Sequence, residues 1–311
     1  MSRIRVLSYN VRYDNRNDHH DAWYARRDGV LGLVRFHRPD VVAFQEPLPA
    51  QRADLREGLP EYTFVGRGRE PGGDGEGCPI GVRTDRWRVV DDGTFWLSET
   101  PNDPSTDWDA AHPRIATWAM VEPRESPDGP AARGTEPLLI GNTHFDHVSS
   151  RARRESARLL AERIPQLAAG GGDHGDASRD VVLVGDLNTT PGSEPHRILT
   201  GAVPDTDSAE RRADLRDAVA DAEIRHGPTT SVTDFVRLID DRRIDHVLVS
   251  PGIESEAAAT LADRDDRGRY PSDHLPVLVR LRRHSGASGS AASSGFGPSS
   301  SASESDSSSS E

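Results

Sequence analysis

No lysine occurs in the 311 residues, so each of the 38 fixed cations is an arginine. Cysteine is almost as scarce. Cys78 stands alone, and a lone thiol can neither close an internal disulfide nor supply a cysteine-built zinc site. Aromatic residues make up only 5% of the chain. No apolar run reaches the length of about eighteen residues that a membrane-spanning helix requires, which excludes membrane insertion by a helix. The N-terminal Met1-Ser2-Arg3-Ile4-Arg5 leads into a strand-like segment with no apolar signal region, which predicts a cytoplasmic protein.

Acidic charge is what the chain has in excess. Asp and Glu number 51 against 38 Lys and Arg, giving a net charge of -13. An acidic, all-arginine, aromatic-poor composition fits a protein kept soluble in concentrated salt, and predicts a halophilic setting. The same charge opposes loose attraction to nucleic acid, whose binders carry a basic footprint. An anionic substrate must then be captured locally. With 34% hydrophobic residues the chain can bury a sizeable core, and nothing in it demands an oligomer, so a monomer is expected.

Residues 285–311 contain 14 Ser, 4 Gly and 4 Ala. Such a segment buries too little apolar surface to offset its ordering entropy, and it reads as a disordered, acidic, Ser-rich tail after a catalytic domain spanning 1–284. Within that domain, short apolar runs read as strands: Ile4 to Val11, Val41 to Phe44, Tyr62 to Val65, Ile80 to Val82, Trp87 to Trp96, Ile115 to Val121, Leu138 to Phe145, Val181 to Val184, Ile244 to Val249 and Leu275 to Leu281. Helices are fewer. They are expected at Ala22 to Phe36, stopped by Pro39, and at Arg151 to Leu167, with shorter ones near Gln51 to Glu57, Glu194 to Leu199 and Ala213 to Ala222. Strands apolar on both faces predict an α/β protein of two packed sheets covered outside by helices. The Pro- and Gly-rich stretches Glu122 to Pro137 and Gly170 to Asp180 read as surface loops.

Polar residues interrupt the strands in a recurring way. Asn10 shares a face with Val6 and Ser8, and Glu46 follows Val42 and Phe44 just before Pro47. Asn142, His144 and Asp146 alternate along one face, as do Asp186 and Asn188, while Ser272-Asp273-His274 precedes the last apolar run. Any one such ending is usually a cap, a turn former or a satisfied histidine. Their joint occurrence points to a hard-cation site of oxygen ligands with histidines beside it. A histidine-built zinc site from His19, His20, His144 and His147 is disfavoured, because residues three apart on a strand point to opposite faces. Arg27 and Arg114 are candidate phosphate binders, since a guanidinium matches phosphate oxygens bidentately.

Six strings carry a family resemblance: Ser8-Tyr9-Asn10-Val11-Arg12, Gln45-Glu46, Asn142-Thr143-His144-Phe145-Asp146-His147, Gly185-Asp186-Leu187-Asn188, Arg243-Ile244-Asp245-His246-Val247-Leu248 and Ser272-Asp273-His274-Leu275-Pro276-Val277. In this order they resemble the endonuclease/exonuclease/phosphatase superfamily, the deoxyribonuclease I-like phosphoesterases. The resemblance spans most of 1–284, and similarity to its metal-dependent hydrolase branch extends to Thr94-Phe95-Trp96-Leu97-Ser98 and Pro113-Arg114-Ile115-Ala116-Thr117-Trp118. It implies a four-layered α/β/β/α sandwich of two mixed sheets and a Mg²⁺-dependent phosphoester hydrolase, with Mn²⁺ as a substitute ion.

In that pattern Glu46 is the principal metal ligand, supported by Asn10 and Asp273. Asp186 positions or deprotonates the attacking water, and Asn188 orients it or a phosphate oxygen. His274 faces the phosphate, oriented by Asp245, and His144 donates to a phosphate oxygen or the leaving group. Asn142 joins Arg27 and Arg114 as substrate-binding candidates. The substrate stays open between DNA, RNA, lipid head groups, sugar phosphates and small phosphodiesters, and a noncatalytic binding protein that kept the fold is the competing class. Because the tail offers no core, deleting 285–311 should leave the melting temperature and turnover unchanged. A lowered melting temperature in the truncated chain would show that the tail docks.

Overall fold

The computed structural model describes residues 2–124, 137–169, 179–202 and 213–283. The Ser-rich tail and most of the two expected loops lie outside the described residues. A seven-stranded sheet runs in the order Ile224–His226, Ile253–Thr260, Val277–Arg283, Ser2–Asn10, Val41–Gln45, Ile80–Arg83, Tyr62–Val65. A six-stranded sheet runs Trp87–Trp96, Ile115–Pro123, Leu138–His144, Asp180–Asp186, Asp245–Val249, Arg216–Asp217. Both are mixed: Ser2–Asn10 pairs parallel with Val41–Gln45, and Leu138–His144 parallel with Asp180–Asp186, beside antiparallel neighbours.

The two sheets are apolar on both faces because each is covered twice. Inward, Ile4, Val6, Val41, Ala43, Ile80 and Val82 meet Val121, Leu138, Ile140, Val182, Val184, Val247 and Val249 in one cluster. Outward, Leu7, Tyr9, Val42 and Phe44 pack under helices Trp23–His37 and Pro49–Gly58 through Val30, Leu33, Val34 and Leu55. On the far side Leu139, Val181, Leu183 and Leu248 pack under helix Ser150–Ala169 through Leu160, Ala161 and Ile164. The result is the four-layered α/β/β/α sandwich. Each fully buried Val, Leu or Ile contributes about 1.5–3 kcal/mol, so the inner layer is what holds the sheets together.

Two local expectations fail for physical reasons. Of the helix expected at Ala213 to Ala222 only Ala218–Asp221 forms, because Arg216–Asp217 joins the sheet edge and Asp217 then caps the turn. Ile253–Thr260 is a strand that the apolar pattern does not signal. Its Ala and Glu residues are poor strand formers, and pairing on both sides overrides them.

Register brings one end of both sheets together. Asn10 pairs with Gln45, and Asp186 lies between His144 on one side and Asp245 on the other. Beside Asp186, Gly185 adopts φ +151°, and a Cβ there would sit 2.0 Å from the Thr143 carbonyl oxygen. Gly185→Ala should therefore destabilise the protein by about 2–4 kcal/mol in urea unfolding. Gly32 is the control: exposed, in helix Trp23–His37, with open space at its Cβ. Gly32→Ala should stabilise by about 0.5–1 kcal/mol, and equal effects at the two sites would contradict this account.

Candidate active site

The converging strand ends form the floor of a cleft of about 480 Å³ lined by Arg12, Tyr13, Glu46, Arg69, Glu76, His112, Arg114, His144, His147, Asp186, Asn188, Asp273 and His274. Asn10 is fully buried beneath it. Its amide nitrogen donates to Glu46 Oε1 at 2.9 Å and to Asp186 Oδ2 at 3.0 Å, so one side chain links the two sheets. Its own oxygen accepts from the Arg12 backbone N–H at 2.9 Å. Asn10, expected as a metal ligand, thus holds the two carboxylates in place.

Glu46 reaches the cleft against strand parity. Val42 and Phe44 face the outer helices, and a continued strand would send Glu46 the same way. Instead the strand ends at Gln45 and Glu46 adopts φ +74°, turning its carboxylate inward to accept from the Tyr13 N–H at 2.9 Å. Asn188 at φ +47° and Arg12 at φ +56° share this left-handed conformation. Each costs about 1–3 kcal/mol and persists only where its surroundings hold it.

The two histidines have opposite environments. His274 Nδ1 lies 2.8 Å from Asp245 Oδ2, and its Nε2 lies 3.7 Å from Asp186 Oδ2. Burial opposes its charge, but the carboxylates of Asp245 and Asp186 outweigh that and hold its pKa well above the ordinary histidine value. His144 Nδ1 lies 3.0 Å from an Arg114 guanidinium nitrogen, and its Nε2 lies 3.5 Å from Asp186 Oδ2. Burial first, then Arg114, pushes its pKa well below the ordinary value. A guanidinium only donates, so His144 Nδ1 is the acceptor and the ring proton sits on Nε2, facing Asp186. Asp186 itself is pushed up to about 7, chiefly by burial, with Asp245 adding to the rise. Asn188 donates to Asp186 Oδ1 through its backbone N–H at 2.8 Å, and its amide to the Phe145 carbonyl at 3.0 Å.

Glu46, His144 and Asp186 present ligand atoms within 4.8 Å of one another. Two carboxylates this close, one with its pKa raised by burial, suit a hard divalent cation. Asp245 Oδ1 is buried with no hydrogen-bond partner. Asp273 faces the same cleft, its Oδ2 3.6 Å from Arg12.

Three substrate-binding expectations are revised. Arg27 lies on the surface of helix Trp23–His37, paired with Asp28 at 3.1 Å and away from the cleft. Asn142 shares the inner face with His144 but is fully buried; its amide donates to the carbonyls of Phe44 and Pro79, and its oxygen accepts from Gln45 at 2.7 Å, sealing the floor between the sheets. Arg114 does line the cleft, but its nitrogens hold His144 and, at 3.1 Å, His147. His147 therefore shares the cleft with His144, because the strand ends at His144 and parity no longer applies. Arg69 and Glu76, paired at 2.7 Å, and His112, stacked on His147 at 6.2 Å, had no sequence signal. They come from a hairpin-like loop and from the segment before strand Ile115–Pro123.

The sequence matches the Endonuclease/Exonuclease/phosphatase family over residues 7–274. A solved member of that family from Bacteroides vulgatus is 32% identical, with 91% of this chain and 100% of that chain covered and a TM-score of 0.78. A mannosyl-6-phosphatase from Bacteroides thetaiotaomicron is 31% identical, with 90% and 99% covered and a TM-score of 0.77. An uncharacterised protein of Acanthamoeba polyphaga mimivirus is 23% identical over 287 residues, covering 89% of this chain and 99% of its own length. The site geometry and these likenesses agree that the chain belongs to the endonuclease/exonuclease/phosphatase family of phosphoesterase-type proteins.

Proposed function

We propose that the protein is a Mg²⁺-dependent phosphatase of small, hydroxyl-rich phosphate esters, sugar phosphates foremost. The observation that carries the reading is the single cleft in which Glu46, Asp186, His144 and His274 face one another. Likeness to a mannosyl-6-phosphatase supports the substrate class. So do a net charge of -13, which opposes polynucleotide binding, and a cleft wall of Arg69, Glu76 and His112 that offers donors and acceptors to hydroxyl groups.

Glu46 and Asp186, with Asp273 lining the same cleft, would hold the ion, which would supply charge neutralisation at the phosphate oxygens. His274, kept as an imidazolium by Asp245, donates to a nonbridging oxygen as negative charge develops there. His144, neutral with its proton on Nε2, donates to a second oxygen without adding charge. Asp186, placed between His144 and His274, accepts the proton of the attacking water. Asn188 orients that water beside it.

Wild-type protein with Mg²⁺ should release phosphate from mannose 6-phosphate faster than it cleaves bis(p-nitrophenyl) phosphate or nicks plasmid, and chelator should abolish the release. Faster nicking than phosphate release would reject the substrate class. Glu46→Gln should raise the Mg²⁺ concentration for half-activity by more than about tenfold. Because a raised Asp186 pKa means that a proton competes with the ion, calorimetric Mg²⁺ affinity should increase between about pH 6 and pH 8, with proton release on binding. Flat affinity across that range would contradict the ligand assignment.

His274→Ala should lower turnover by about 100- to 10,000-fold. Asp245→Asn should lower it less and move the alkaline limb of the pH–rate profile to lower pH, because His274 loses the carboxylate that keeps it protonated. As both act through one imidazole, the double variant should be little worse than His274→Ala alone. Multiplicative losses would reject the pairing.

A further inference from the structure

Asp245 and His246 are neighbours on strand Asp245–Val249, and a period of two sends their side chains to opposite faces. Asp245 turns to His274. His246 is buried on the other face, beside helix Glu194–Leu199, its ring 5.2 Å from that of His196. There its Nε2 lies 2.8 Å from the Thr189 carbonyl oxygen. A carbonyl only accepts, so Nε2 carries the proton, and Nδ1 is left buried with no hydrogen-bond partner among the described residues. One residue earlier, the Ile244 carbonyl accepts from the Leu187 N–H at 2.9 Å. Asn188, in its left-handed conformation, is therefore fastened on both sides to the same short stretch of chain that orients His274.

A second imidazole braces the same loop. His196 Nδ1 accepts from the Gly192 N–H at 3.3 Å, which leaves Nε2–H to donate to Asp217 at 3.2 Å. Asp217 is gripped by both terminal nitrogens of Arg243, at 3.2 and 2.5 Å, and accepts from the Val219 and Ala220 N–H groups. His196, Asp217 and His246 also present ligand atoms within 4.8 Å of one another. The hydrogen bonds argue against an ion there, because the Arg243 guanidinium occupies both carboxylate oxygens and one nitrogen of each histidine is committed to the loop backbone.

We infer that His246 is a positioning residue of the phosphoesterase site: its hydrogen bond to Thr189 holds the Asn188 turn so that the Asn188 side-chain amide, 3.1 Å from His144 Nε2, stays beside that ring, with His196 and Asp217 bracing the loop. The inference rests on Asn188 belonging to that site. Displacing a group by about 1 Å can lower a rate about 100-fold, so the bond should show in turnover more than in substrate binding.

The test compares wild type, His246→Leu, His246→Gln, Asn188→Ala and the His246→Leu, Asn188→Ala double variant. The readouts are steady-state kinetics on p-nitrophenyl phosphate with Mg²⁺, and hydrogen exchange of residues 187–192. His246→Leu should lower kcat by about 10- to 100-fold with KM within about twofold. His246→Gln, which keeps a donor at similar reach, should stay within about threefold of wild type. On the Asn188→Ala background the Leu substitution should cost less than about twofold. Exchange across 187–192 should rise at least about tenfold in the Leu variant only.

Equal losses in the Leu and Gln variants, or multiplicative losses with Asn188→Ala, would overturn the inference. If the Leu variant unfolds, a His246→Gln protein with wild-type melting but a rate more than about tenfold lower would overturn it. One equivalent of zinc held through dialysis and lost in His196→Ala would overturn it in favour of a metal site. Should wild type be inert towards phosphomonoesters, the phosphatase reading fails by itself; the exchange measurement still decides whether His246 clamps the turn.

Discussion

Burying carboxylates is the constraint around which this molecule is arranged. Asp186 and Asp245 are almost wholly withdrawn from water where the two sheets meet, and Glu46 is partly so. An ionised carboxylate without partners in such a place would cost several kcal/mol. The offsets are specific: one amide for Glu46 and Asp186 together, an imidazolium for Asp245, and backbone N–H groups at Tyr13 and Asn188. None of the partners lies in the same element as the carboxylate it serves, and only Asn188 is close to its carboxylate in sequence. The site is thus also the seam of the sandwich, and the sheets cannot slide without breaking it.

That seam needs a rigid frame, and the frame comes from the least specific part of the chain. The inner layer of Val, Ile, Leu and Ala residues contributes about 1.5–3 kcal/mol per fully buried large side chain. Against this stand three left-handed residues at the cleft, Arg12, Glu46 and Asn188, each unfavourable by about 1–3 kcal/mol. Gly185 marks the closest approach: strands Leu138–His144 and Asp180–Asp186 meet there with no room for a side chain.

Most of the frame was legible in the sequence for the same reason. A strand buried on both faces must be apolar at every position, so ten strands announced themselves as short apolar runs. Ile253–Thr260 did not, since its Ala-rich sequence carries no such run. Strand-end polar residues were legible as a set, but their directions were not. Parity places Asn10, His144, Asp186 and Asp245 correctly because each still lies on its strand. It misplaces Glu46 and His147, which follow a strand end, where a single left-handed residue or a turn resets direction. Arg69, Glu76 and His112 come from irregular segments, for which periodicity gives no rule.

The absence of lysine bears on how the cleft responds to pH. Its fixed cations, Arg12, Arg69 and Arg114, keep their charge across the whole physiological range. Titration is therefore confined to carboxylates and imidazoles, and burial moves the two kinds in opposite directions. It raises Asp186 and Asp273 and lowers His112 and His144. His274 escapes because the carboxylates of Asp245, directly behind it, and of Asp186 outweigh burial. A permanent cation beside one histidine and a carboxylate behind the other thus leave chemically identical side chains neutral on one side of Asp186 and cationic on the other. Exchanging those two partners, rather than the histidines themselves, would reverse which ring carries the charge.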